Sequence, residues 1–237
     1  MDKLHVITPV KDSIELTMQT IRSVLESELH IPYNYTVYND FSTVENTLLL
    51  EKASKSMGFR LINLCDLTNH PSPNYLLVLQ HAQQEALTEN ADLLIVESDV
   101  VVKKDTLHKL NEATKLPQCG IAASVTVDEQ GHVNYPYQHF QDIGSQVLRT
   151  SKHCSFCCSL LSYDFLRTYS FKELDPNKNW YDVTISHEAL KHGFHNYIFG
   201  NLPVWHRPHS SRPWKQLKYS NPLKYYWIKF TKGYDKI

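Results

Sequence analysis

Glu97-Ser98-Asp99 closes the apolar run Ala91 to Val96, and it sets two carboxylates two residues apart. At a strand end, that spacing can aim oxygen ligands at a hard divalent cation. Mg²⁺ and Mn²⁺ prefer oxygen and often sit between one or two carboxylates and a diphosphate. The same pair also suits a turn in which Asp99 bonds its own backbone. Other residues of this kind stand at the ends of apolar runs. Thr8-Pro9-Val10 closes the first, with Asp12 just beyond, and Asp40 closes Tyr35 to Asn39. Asp40 reads equally as an Asx turn or as a ligand contact. Asn74 and Asp182 each read as a helix cap. His206 ends the run that starts at Leu202 and reads as a half-buried histidine.

Several chemistries are excluded by spacing. The 7 glycines stand at 58, 120, 131, 144, 193, 200 and 233, so no G-x-G-x-x-G, P-loop or G-x-S-x-G can be built. His187 and His192 are five residues apart, about 140° around a helix, which removes the zinc-protease pattern. Cys154-Ser155-Phe156-Cys157 lies beside His153, but no second pair has zinc-finger spacing, so these read as buried thiols in a strand.

Elements must bring the carboxylates together. Residues 4–10, 35–40, 59–64 and 91–96 read as strands. Residues 13–26, 46–57 and 74–87 read as the intervening helices, with Asp12 or Ser13 capping the first and Gly58 stopping the second. That rhythm implies an α/β fold with a Rossmann-like, mostly parallel sheet flanked by helices, where ligands sit at the carboxyl ends of the strands. The second half reads as less regular. It has a helix at 105–114, strands at 120–127 and 155–162, a helix at 182–192, and strands at 194–198 and 202–206.

The chain has 237 residues, with Lys+Arg 24 against Asp+Glu 25 and a net charge of -1. A globally basic nucleic-acid coat is thereby excluded, and no nucleic-acid partner is expected. No apolar run is long enough to span a bilayer, and Met1-Asp2-Lys3 begins no cleavable signal pattern. The five cysteines, at irregular spacing, fit a reducing, cytoplasmic setting.

Taken in order, Thr8-Pro9-Val10 with Asp12, Tyr38-Asn39-Asp40-Phe41-Ser42, Asn74, and Glu97-Ser98-Asp99 with Asp105-Thr106-Leu107 resemble glycosyltransferase family 2, which has a GT-A nucleotide-sugar-binding fold. Trp180-Tyr181-Asp182, Leu190 to Phe194 and Val204-Trp205-His206 are similar to its acceptor-side motifs, so the resemblance covers about residues 3 to 207. It implies a GT-A catalytic domain over residues 1–206, divided into a nucleotide-binding half (1–99) and an acceptor-binding half (100–206). It further implies a metal-dependent inverting glycosyltransferase of hexosyltransferase type, serving polysaccharide biosynthesis. The donor would be a nucleoside-diphosphate sugar, with a UDP-sugar expected, and the acceptor a glycan or lipid-linked hydroxyl. Carried over residue by residue, Thr8, Pro9, Asp12, Asp40, Asn74, Glu97 and Ser98 would meet the nucleotide. Asp99 and His206 would hold Mn²⁺ or Mg²⁺, and Asp182 would take the acceptor proton. Three features depart from the family: Glu97 replaces an Asp, the Asp182 segment lacks a preceding Glu, and Lys191 or His192 stands where an arginine is usual. The altered metal motif leaves open an inactive GT-A-like binding protein. A nucleotidyltransferase would need a Gly-rich basic loop, which Thr8 to Asp12 lacks.

From Arg207 the composition shifts. Residues 207–237 carry eight Lys/Arg against Asp235, with Trp214, Tyr219, Tyr225, Tyr226, Trp227 and Phe230 interleaved. Pro208, Pro213 and Pro222 divide this tail into short amphipathic pieces. The pattern suits a peripheral contact with an anionic membrane, on its cytoplasmic face, or a tail packed on the catalytic domain.

Overall fold

The computed structural model describes residues 3–207, 217 and 221–232. The strands β1 (Leu4–Val10), β2 (Tyr33–Asn39), β3 (Arg60–Asn63) and β4 (Asp92–Val96) alternate with α1 (Ile14–Leu25), α2 (Val44–Met57) and α3 (Tyr75–Glu89), as the apolar runs predict. The second half supplies β5 (Val100–Val101), α4 (Thr106–Glu112), β6 (Cys119–Val127), β7 (Val147–Thr150), β8 (Cys158–Leu161), α5 (Tyr163–Thr168), α6 (Tyr181–Lys191) and β9 (His195–His206). A further helix, α7 (Pro222–Lys232), follows.

All nine strands share one sheet, in the order β3-β2-β1-β4-β8-β6-β9-β5, with β7 also on β9. The pairs β1–β2, β2–β3, β1–β4 and β6–β9 are parallel, whereas β8, β5 and β7 run against their neighbours. The alternation of side chains across a strand explains why both faces are covered. In β1, Leu4, Val6 and Val10 pack with Ile21 and Val24 of α1 and Leu50 of α2, while Ile7 turns to Val78 and Leu79 of α3 on the other face. Leu94 and Val96 of β4 face the first layer, and Leu93 and Ile95 face the second. The chain moves outward from β1 to β3 and then returns to place β4 on β1's other side. The crevice at the carboxyl ends of β1 and β4 is therefore a topological switch point.

Four expectations change. Residues 194–198 and 202–206 belong to one continuous strand, β9. Gly200 does not break it. Its bare backbone lies against the Gly144 carbonyl and Ile143, with no room for a Cβ. The strand predicted at 155–162 starts only at Cys158, and the loop before it is held by Tyr137, whose hydroxyl contacts both Ser155 O and Ser155 N. The short β5 and β7 have no counterpart among the expected strands. Neither Asp12 nor Ser13 caps α1 with its side chain. Asp12 turns to α2 instead, where its carboxylate accepts from Thr43 N (2.8 Å) and Asn46 Nδ2 (3.1 Å).

Candidate active site

Val96 ends β4, and the chain reverses at once. Glu97 N–H donates to Cys157 O (2.9 Å), and Val100 N–H donates to Glu97 O (3.1 Å). This tight turn delivers β5, which pairs antiparallel with the end of β9 in the register Val100↔His206. Arg207 N–H donates to Asp99 O (3.0 Å), extending that ladder by one step. The pairing brings Asp99 Oδ2 to 3.6 Å from His206 Nε2, with both side chains almost fully buried. Behind the ring, His206 Nδ1 donates to Tyr135 O (2.7 Å), which leaves Nε2 to face the carboxylates.

The electrostatics follow from this crowding. Burial and repulsion from Asp99 push the Glu97 carboxyl above the usual carboxylate range, although His206 opposes the shift. For His206, burial alone would depress the imidazole, but Asp99 and Glu97 outweigh it and raise the pKa. The Cys157 thiol, 3.2 Å from Glu97 Oε2, is pushed well up by burial and by both acids. Ser98 is buried within the turn.

Asp182, on a different element, acts on this corner through its charge. Trp180, not Asp182, holds the N-cap position of α6. Asp182 sits in the first turn, where its Oδ1 accepts from Val183 N (2.9 Å) and a negative charge suits the helix dipole. Its charge is felt by Glu97 and by the buried hydroxyls of Tyr75 and Tyr137. Lys191 and His192, the replacements for the usual arginine, lie at the other end of α6, where both pair with Glu188.

The remaining expected contacts lie along the switch point. Pairing of β1 with β4 stops at Ile7↔Ile95, so Thr8 to Val10 lie beyond the paired part of β4. Thr8 Oγ1 is already bonded to Tyr35 OH (2.9 Å), which leaves its backbone as the group on offer. Asp40 does not form an Asx turn. Its carboxylate accepts from Ser72 Oγ (2.7 Å), Asn74 N (2.9 Å) and Asn74 Nδ2 (2.8 Å). Asn74 occupies the N-cap position of α3, but its side chain turns away to Asp40 and His70 O instead of capping the helix. A carboxylate has about four acceptor sites, so Asp40 keeps one beyond these three.

Two residues escape sequence reasoning. Tyr75 holds a buried hydroxyl with no hydrogen-bond partner among the described residues, close enough to feel Glu97, Asp182 and Cys157. Cys157 departs in part from the expected buried thiol in a strand. It is buried, but it precedes the strand and turns toward Glu97.

Solved structures match this architecture. A mannosyltransferase, PcManGT from Pyrobaculum calidifontis, in complex with GDP-Man and Mn²⁺, aligns with TM-score 0.65 at 11% identity, over 96% of this chain and 64% of that one. TarS 1-349 from S. aureus gives 0.63 at 14%, over 86% and 60%. GalNAc-T7 with UDP, GalNAc and Mn²⁺ gives 0.63 at 11%, over 86% and 43%. The fold is of the GT-A type. The chain spans less than two thirds of the length of each of these GT-A structures. No family model and no curated protein sequence matches it. The donors in its GT-A corner are chemically suited to a divalent cation: two carboxylates and an imidazole whose Nδ1 is already committed to a carbonyl.

Proposed function

We propose that the chain is a metal-dependent inverting glycosyltransferase, moving a sugar from a nucleoside-diphosphate sugar to an acceptor hydroxyl. The observation that carries this reading is the cluster of Glu97, Asp99 and His206 at the switch point of a GT-A sheet, with Asp182 near enough to act electrostatically on Glu97. Asp99 and His206 would hold Mn²⁺ or Mg²⁺, with Glu97 beside them. Such an ion stabilises the negative charge of a departing diphosphate. The backbone at Thr8 and Pro9 and the remaining acceptor site of Asp40 would receive the base and ribose, with Asp12 and Asn74 fixing the loops around them. Asp182 would accept the proton of the attacking hydroxyl, a contribution of about 10²–10⁴-fold for a placed base. Direct displacement on the face opposite the diphosphate inverts the anomeric centre.

A uridine donor is favoured among the nucleotides, since GalNAc-T7 is seen with UDP and TarS with UDP-GlcNAc, although PcManGT holds GDP-Man. For the acceptor, the support lies in α7. Leu223, Tyr226, Trp227 and Phe230 recur at i, i+3, i+4 and i+7 and are 85%, 48%, 71% and 80% exposed. Lys224, Lys229 and Lys232 share that helix, which has no acidic residue. An exposed apolar stripe with lysines is the composition of an interfacial helix, and it suits a lipid-linked acceptor at the cytoplasmic face of a membrane. Arg212, Trp214, Lys215, Lys218, Tyr219, Lys236, Pro208 and Pro213 of the predicted tail lie outside the described residues. Among the described residues, no helix is long and apolar enough to cross a membrane.

The test is a thermal-shift screen of UDP and GDP, each with and without Mn²⁺, followed by transfer from the sugar of the nucleotide that binds. Binding raises the melting temperature by mass action. Nucleotide binding without transfer to any hydroxyl acceptor, or to water, would leave a GT-A-like binding protein.

A further inference from the structure

Glu97, Cys157 and His206 each bring one potential ligand atom within 4.8 Å of the other two, and the Cys157 Sγ–Glu97 Oε2 distance is 3.2 Å. Three chain segments build this cluster. Glu97 N–H donates to Cys157 O, which fixes the thiol's backbone beside the turn after β4. Cys158, the next residue, pairs with Val96, which keeps the backbone of residue 157 beside residue 97. His206 enters from β9 with its Nδ1 tied to Tyr135 O, an arrangement that presents Nε2 to a cation. Asp99 Oδ2 stands 3.6 Å from that nitrogen. An oxygen-preferring ion would be served by the carboxylates and the imidazole. The thiol adds a soft donor, and a mixed N, O and S set is the composition of zinc sites.

We propose that Cys157 makes this corner a thiolate-containing cation site that takes Zn²⁺ or Co²⁺ more tightly than Mg²⁺ or Mn²⁺, through Glu97, Cys157 and His206. Coordination replaces the S–H bond by a sulfur–metal bond, and the proton leaves to solvent. Glu97 and His206 also belong to the corner proposed for Mn²⁺, so a zinc ion held there by the thiolate takes the place of the ion that a diphosphate would need. Zinc is then a competitor of the donor complex. The inference rests on reading this corner as a metal site, and it adds the thiol as a ligand.

Cobalt reports the difference directly, because thiolate ligation gives an intense near-ultraviolet charge-transfer band that carboxylate and imidazole do not. The full chain, reduced and stripped with chelator, is titrated with Co²⁺, then with Zn²⁺ in competition. The same is done with Cys157→Ser and Cys157→Ala, each checked for an unchanged far-ultraviolet circular dichroism spectrum. Cys65 is exposed and present in every protein, so it cannot account for a difference. The band is expected in the parent and absent from both variants. Zn²⁺ affinity should fall by at least about tenfold, the lower end of what loss of even an outer partner costs. The Mn²⁺-dependent thermal shift with UDP should change by less than a factor of about three in apparent affinity, since an oxygen-preferring ion does not need the thiol. No band in the parent, or an equal band in a folded variant, overturns the proposal while leaving Mn²⁺-dependent nucleotide binding as an independent result. A band that needs Cys157, in a chain that binds no nucleotide, upholds the thiolate site and removes the glycosyl-transfer reading.

Discussion

Asp99 and His206 face each other because Val100 and His206 are cross-strand partners. The contact between residues 107 positions apart is thus set by a two-residue strand. The tight turn after β4 makes that strand possible, and the Arg207 N–H to Asp99 O bond closes it. The geometry of the proposed metal corner therefore depends on backbone pairing as much as on the side chains themselves.

The first prediction concerns that pair. Asp99→Ala should abolish Mn²⁺-dependent stabilisation by nucleotide, whereas Glu97→Asp should retain it, since the shorter carboxylate keeps the charge. Thermal shift with UDP and Mn²⁺ measures both. An undiminished Mn²⁺ effect in Asp99→Ala would remove this residue from the metal site.

Asp182→Asn is nearly isosteric, and its amide oxygen can still accept from Val183 N–H. Donor binding should persist while turnover falls by at least about 10². Normal turnover would reduce Asp182 to a helix-start residue. Product NMR showing a retained anomeric configuration would exclude direct displacement.

The strand–helix alternation of residues 4–96 is legible in the sequence because β1 and β4 are buried apolar runs and α1 carries an apolar stripe at helical spacing. The acidic strand ends are legible for the same reason. Cross-strand register is not, because it depends on which residues far apart in the chain become neighbours. Cys157 shows this. Nothing local distinguishes it from Cys154 or Cys158, and only the pairing Val96↔Cys158 sets it beside Glu97. Asn74 teaches a related lesson. Its position at the start of α3 is readable, but the choice of Asp40 over its own helix is tertiary. The strands expected at 194–198 and 202–206 are one, with Gly200 between them packed against Ile143 and Gly144.

His5 gives a pH prediction away from the site. It is fully buried at the start of β1, beside Glu89 (3.3 Å) and Glu85 (4.0 Å), with Arg60 also acting on it. Burial lowers its pKa, although both glutamates oppose the shift. Between the folded value and the unfolded value of about 6.5, the unfolded chain binds more protons. Its contribution to stability is therefore complete above that pH and declines as the pH drops through the window. Melting curves from pH 7.5 to 5 should show a smaller acid-induced loss in His5→Gln than in the parent. Parallel curves would show that His5 does not contribute.

Gly120 lies in β6 under α6, and a Cβ there would stand 2.7 Å from Phe194 Cβ and 3.3 Å from Ala189 Cβ. Gly120→Ala should cost about 1–3 kcal/mol, the usual range for overpacking. Because Ala189 belongs to the helix that carries Asp182, turnover should also fall. Chemical denaturation and initial rates measure the two effects, and a variant as stable as the parent would mean that α6 shifts freely.

The exposed stripe of α7 predicts a lipid phenotype. Replacing Trp227 and Phe230 together by Ser should sharply reduce sedimentation with anionic liposomes, and high salt should weaken the parent's binding through its lysines. Equal sedimentation of parent and double variant would separate the stripe from membranes altogether.

The place of β8 in the sheet bears on how the chain could be divided. Its residues come from the second half of the sequence, yet it lies against β4 and covers that strand's edge. A fragment ending near residue 99 would expose the hydrogen-bonding groups of a fully buried apolar strand, Asp92 to Val96, which is a template for intermolecular pairing. The nucleotide-binding half is therefore a poor candidate for expression by itself. Split or chimeric versions should keep β8 on the same polypeptide as β4, or supply it as a complementing strand.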